Sequence, residues 1–203
     1  MKTSSRWTLP ILVVLMAACA QQPVYTAPYV SAPAIKLDPP LAVTLAVTYR
    51  KDGKRDAARE RELTVQLRDA LSAGQAFKPV DAGADAVGAL SVDVEDAATT
   101  KHRSLLGTFS ASLGNLMLGQ AEFTPQGRRT PRALDVDVSY TPMGSSGRTQ
   151  SYTNLVVTIT NNTQEPTDLV PMSDRKQAEL TLIGNDLNLF AAELAKPQDT
   201  PKP

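Results

Sequence analysis

Three separate stretches of this chain alternate large apolar side chains with small or polar ones at a period of two. No other feature limits its fold as much. Val43, Leu45, Val47 and Tyr49 alternate with Ala42, Thr44, Ala46 and Thr48. Leu90, Val92 and Val94 alternate with Ser91, Asp93 and Glu95, and Leu134, Val136, Val138 and Tyr140 with Asp135, Asp137 and Ser139. Successive side chains of a strand point to opposite faces, so each stretch makes a strand with one dry face and one wet face. Tyr152 to Thr160 is also β-rich, and Gly144-Ser145-Ser146-Gly147 connects it as an antiparallel partner to the third stretch.

A dry sheet face must be covered, and two segments have the helical period to do it. From Asp56 to Ala73, Leu63, Leu67, Ala70 and Leu71 share one side, while Arg59, Glu60, Arg61, Glu62 and Arg68 lie mostly in water. Gly74 is the expected stop. Near the C-terminus Leu180, Ile183, Leu187, Phe190, Ala191 and Leu194 recur at helical spacing. Ser173 is the expected N-cap there, and Pro171 is expected to end the strand before it. The expected fold is α+β: a curved mixed or antiparallel sheet with two to three helices packed on one face.

The first residues have another character. Lys2 and Arg6 precede the apolar run Leu9 to Met16, then the small pair Ala17-Ala18, then Cys19, the chain's only cysteine. This is the layout of a secretory signal peptide, and the run falls short of the ~20 residues that a bilayer core needs. Leu15-Met16-Ala17-Ala18-Cys19 resembles the lipobox of bacterial lipoproteins. The resemblance implies a diacylglyceryl group on the Cys19 thiol, cleavage before Cys19 and acylation of the new amino group. The next residue is Ala20, not aspartate, which in that family implies the periplasmic face of the outer membrane. Several acyl chains on one residue, at ~0.8 kcal/mol per buried methylene, make a lasting anchor. The expected layout is a signal peptide over 1–18 and a lipidated, Pro-rich tether over 19–40. A periplasmic domain over 41–195 and a disordered tail over 196–203 follow.

A second likeness is one of layout. Strand 41–49, helix 56–73, Phe77-x-x-Val80, Ala84-Asp85 and strand 88–94 together look like the opening of periplasmic domains of the TolB amino-terminal type. That resemblance covers about sixty residues and implies an adaptor or assembly protein rather than an enzyme.

The side chains point the same way. With one cysteine there is no internal disulfide framework and no thiolate zinc site. His102, the only histidine, sits in the basic run Thr99-Thr100-Lys101-His102-Arg103 and reads as a solvated loop residue more readily than as a general base. Nothing resembles a nucleophile elbow or a phosphate-binding glycine loop. The charge is balanced, with 21 basic and 21 acidic residues, which gives no electrostatic reason to bind nucleic acid. No catalytic residue, metal ligand or cofactor is expected. Asp93 and Glu95 on one strand and Asp135 and Asp137 on another read as wet faces, and they would form a four-carboxylate patch if those strands were neighbours. Ser104 to Gly119 is uncharged and rich in small residues, with Leu106, Phe109, Leu113 and Leu116 spaced as a packing seam. It is a third core helix, an apolar loop on the sheet, or a surface touching a partner or the membrane. The preferred functional reading is a lipid-anchored periplasmic adaptor in contact with an envelope protein or with itself; the alternative is a binding module for a small molecule, glycan or lipid in a pocket between helices and sheet.

Overall fold

The computed structural model describes residues 24–26, 31–81, 83, 85–98, 128–160 and 170–196, and the alternating stretches are strands of one sheet within it. In chain order the elements are β1 (Val24–Thr26), β2 (Leu41–Lys51), β3 (Lys54–Arg55), α1 (Ala57–Ala73), β4 (Phe77–Pro79), β5 (Gly88–Ala98), β6 (Arg128–Pro142), β7 (Arg148–Thr160), β8 (Val170–Met172) and α2 (Arg175–Ala195). The eight described strands form an open, curved mixed sheet in the order β3-β2-β5-β6-β7-β1-β8, with β4 also paired to β2. β2 runs parallel to β4 and β5, and parallel neighbours need a crossover, which α1 supplies. The remaining pairs are antiparallel.

The register stacks the apolar positions in rows across the sheet. Val47 faces Val92 and Val92 faces Val138; Tyr49 faces Val94 and Val94 faces Val136. Leu90, Val92, Val136 and Val138 have no exposed surface. Both helices lie on this face. α1 contributes Leu63, Leu67 and Leu71, and α2 contributes Leu182, Ile183, Leu187 and Phe190, to one continuous core. Each helix begins at an aspartate. The Asp56 carboxylate accepts from the Ala58 and Arg59 N–H groups at 3.2 and 3.0 Å. Asp174 accepts from the Gln177 N–H at 2.8 Å, so it and not Ser173 is the N-cap of α2. Gly74 closes α1, its N–H donating to the Ala70 and Leu71 carbonyls.

Two prolines fall inside strands, and each has a side with no partner strand among the described residues. Pro171 does not end a strand but lies in β8, the outermost one, paired only toward Tyr25. Pro131 lies in β6 beyond the last β5 pairing, Ala98 with Arg132, so among the described residues β6 has a single neighbour there.

The N-terminal stretch corrects the sequence reading most. Residues 19–40 are not a free tether throughout. Val24, Tyr25 and Thr26 insert as β1 between β7 and β8, and Thr26 is wholly buried. Pro23 and Pro28 flank this β-favouring triplet rather than interrupt it, so no ladder N–H is lost to them. Farther on, residues 31–37 run as a strap along the helices. Ala32 N–H donates to Asn185 Oδ1 at 2.6 Å and Leu37 N–H to the Gln75 carbonyl at 3.1 Å, while Ile35 and Leu37 pack on the core. No helix among the described residues is long and apolar enough to cross a membrane.

Candidate functional site

A groove opens between the two helices. Leu67 and Leu71 of α1, Phe77 of β4, Leu187 of α2 and Ile35 of the strap line it. Its volume is about 370 Å³, within the range of small-molecule sites. Among the described residues, no lining side chain carries a charge or titrates. Polarity comes only from hydroxyls and amides, among them Thr181, Asn185, Asn188 and Gln75. Such a site can hold an apolar group by excluding water from it.

Gly184 lies in the middle of α2 on this groove. A Cβ added there would meet nothing within 4 Å. A helix-interior glycine costs roughly 1 kcal/mol relative to alanine, and here no close packing requires it. What it provides is open space in the groove.

Beside the groove, at the end of the sheet where both helices begin, lies a buried ionic network. Glu179 of α2, almost unexposed, accepts from Arg59 Nη2 at 2.9 Å, Arg175 Nε at 2.9 Å and the Tyr49 hydroxyl at 3.2 Å. Asp96, equally buried, accepts from Arg132 Nε at 2.6 Å and pairs with Arg175 at 2.8 Å. Burial works against the Arg59 charge, but Glu179 and Glu62 outweigh it and hold the guanidinium more firmly protonated than usual. Burial, and then the nearby Glu179 and Asp96 charges, push the Tyr49 hydroxyl well above its ordinary range. Every acid in this network has a cationic partner, which suits a structural tie between layers better than proton transfer.

Between α2 and the sheet, Asp186 is buried and accepts from Asn154 Nδ2 at 2.7 Å. Burial pushes its carboxyl up to about 7, with Asn154 pulling the other way. Burial and then the charges of Asp186 and Glu193 push the Tyr152 hydroxyl up to about 12.

The sheet face away from the helices carries the expected carboxylates. β5 and β6 are neighbours, with Asp93 directly opposite Asp137 and Glu95 opposite Asp135, so the four-carboxylate patch forms. Three of its acids are met locally: Glu95 by Arg50 at 3.2 Å, Asp135 by the Thr153 hydroxyl at 2.8 Å and Asp93 by the Ser91 hydroxyl at 3.3 Å. Among the described residues no three acidic, histidine or cysteine side chains are placed to hold a metal ion together.

Cys19, His102 and the seam Leu106, Phe109, Leu113 and Leu116 lie outside the described residues. The sequence reading missed Asp96, Arg59, Glu179 and Asp186 as buried groups. One signal was available: Glu179 and Asp186 fall among the apolar positions of α2, at helical spacing with Leu182 and Ile183.

No family model matches the chain, and no curated protein matches it. Among solved structures, a candidate neuraminyllactose-binding hemagglutinin homolog from Helicobacter pylori is similar at 9% identity with a TM-score of 0.44. The match covers 83% of this chain and 90% of that one. Likeness at that level is too slight to carry a fold or a ligand from one protein to the other.

Proposed function

We propose that this is a lipid-anchored protein of the periplasmic face of the outer membrane that works by binding rather than by catalysis. Its α1–α2 groove takes an uncharged apolar group, such as the hydrocarbon part of a neutral amphiphile. The observation that carries this reading is the uncharged lining of a groove of about 370 Å³. A charged ligand would be desolvated there without a counter-charge. A glycan is a poor fit, because the lining aromatic ring, Phe77, is only 2% exposed and offers no face for a sugar to stack on.

The test uses Nile red, a neutral apolar probe, with the wild type and Gly184→Leu. The leucine side chain enters the open space and should weaken probe binding about tenfold or more, while the melting temperature holds or rises. Unchanged probe affinity in a folded Gly184→Leu protein would remove the groove from the function.

An adaptor reading has one observation of its own. Val87 and Met143 are 48% and 70% exposed, and the Met143 N–H donates to the Val87 carbonyl. They form a small apolar tip at the end of the sheet opposite the start of β1. If this tip holds a partner protein, a photo-crosslinker at position 143 captures the same protein repeatedly in intact cells. An empty groove together with such a capture would favour the adaptor.

A further inference from the structure

The β2–β3 hairpin reads Arg50-Lys51-Asp52-Gly53-Lys54-Arg55, four cations around a two-residue turn. Asp52 and Gly53 have φ of 52° and 82°, the left-handed pair that such a tight hairpin requires. The register sets Arg50 opposite Arg55 and Lys51 opposite Lys54, and like charges in direct opposition disfavour a hairpin. Arg50 is relieved by Glu95 and Arg55 by Glu60. Asp52, the acid of the turn, is engaged elsewhere, accepting from Arg132 Nη2 at 3.0 Å and from the Ala98 N–H at 3.2 Å. Lys51 and Lys54 are exposed and have no ion-pair partner among the described residues.

The register also places this tip. Lys51 faces Asp96, Asp96 faces Leu134 and Leu134 faces Asn154. The row of Arg132, Val156 and Thr26 lies two residues farther out, and the row of Thr130, Thr158 and Val24 two beyond that. The hairpin tip and the start of β1 are therefore at one end of the sheet. Across the sheet four strand spacings separate them, roughly 19 Å, and the four-row offset adds roughly 13 Å along the strands. β6 starts at the same end with Arg128 and Arg129.

Val24 follows Cys19 by five residues, so a lipid on Cys19 stays within about 18 Å of this end of the sheet. A link that short cannot hold the domain clear of the headgroups. We propose that the β2–β3 hairpin tip is a docking surface for an anionic phospholipid bilayer, with Lys51 and Lys54 among the headgroups. The proposal rests on the Cys19 anchor. Beside an anionic bilayer the two lysines gain a counter-charge that no described residue supplies, and each favours the docked orientation by about fivefold.

The test uses the full, natively processed protein reconstituted in two kinds of vesicle. One is phosphatidylethanolamine with phosphatidylglycerol, the other phosphatidylethanolamine with phosphatidylcholine. Lysines are acetylated briefly and read by peptide mass. Lys51 and Lys54 should react about fivefold more slowly, or slower still, on the anionic vesicles, and high salt should abolish the difference. Lys78 and Lys196, toward the other end of the domain, should react alike on both. Equal reactivity of Lys51 and Lys54 on the two vesicles would overturn the proposal. So would protection found only in native envelopes, which would point to an acidic protein instead. The mass of the N-terminal peptide reads the anchor separately. Acyl groups without lysine protection would keep the anchor and remove the docking surface. Protection without acyl groups would keep the surface and remove the anchor.

Discussion

At the scale of single residues, Asp186 makes folding respond to pH in an unusual direction. In the folded protein it keeps its proton up to about pH 7, whereas an unfolded aspartate releases it near ~3.9. Between those values the native state holds more protons, so this residue makes stability fall as pH rises. Asp186→Asn should remove that slope. Urea melts are expected to show the variant ~2–4 kcal/mol more stable than wild type at pH 8 and nearly equal to it at pH 4.5. An equal difference at both pH values would mean that the carboxyl titrates normally. The burial of Asp186 had a local signal, its place among the apolar positions of α2, but its partner Asn154 and the groove at Gly184 had none. A glycine marks a groove only once the opposite wall exists.

At the scale of elements, the helices were largely legible and the tie between them was not. Asp56, the leucines of α1 and the apolar period of α2 sit where the sequence placed them, because capping and amphipathicity are local. The ionic network joins side chains far apart in the chain: Arg59 meets Glu179, and Asp96 meets Arg132 and Arg175. Removing one member of a buried pair strands the other's charge, so Glu179→Ala should cost about 3–5 kcal/mol. The double change Arg59→Met with Glu179→Leu should cost much less than the sum of its parts. A double-mutant cycle by urea melts measures this. Simple additivity of the two changes would show that the pair does not act as a unit.

At the scale of the whole molecule, the position of β1 decides where the domain begins and how near the membrane it sits. The composition of residues 20–40, with Pro23, Pro28, Pro33, Pro39 and Pro40, is that of an extended linker, and the folded part would be expected to start near Leu41. In the structure, a chain starting at Lys36 would lack the strand between β7 and β8, leaving β7 an unpaired edge. It would also lose the burial of Val24 and Tyr25, about 1.5–3 kcal/mol for a fully buried side chain of that size. A chain starting at Ala20 should therefore melt well above one starting at Lys36, and the shorter one should aggregate through the open β7 edge. Equal melting temperatures would show β1 to be dispensable.

The sequence alone determined what depends on neighbours in the chain. The period-two strands, the two amphipathic helices and hence an α+β sheet with helices on one face all follow from local periodicity and backbone preference. The Cys19 motif is local too, and its processing stays with the proposed function. Tertiary structure decided what depends on partners distant in the chain. Only strand order set Asp93 against Asp137, and only the packing of α1 on α2 made an uncharged groove. Only the strand register carried the start of β1 and the basic hairpin to the same end of the sheet. A three-residue strand such as Val24–Thr26 holds too little local information to announce itself; its stability comes from the strands on either side, and those are contributed by residues more than a hundred positions away.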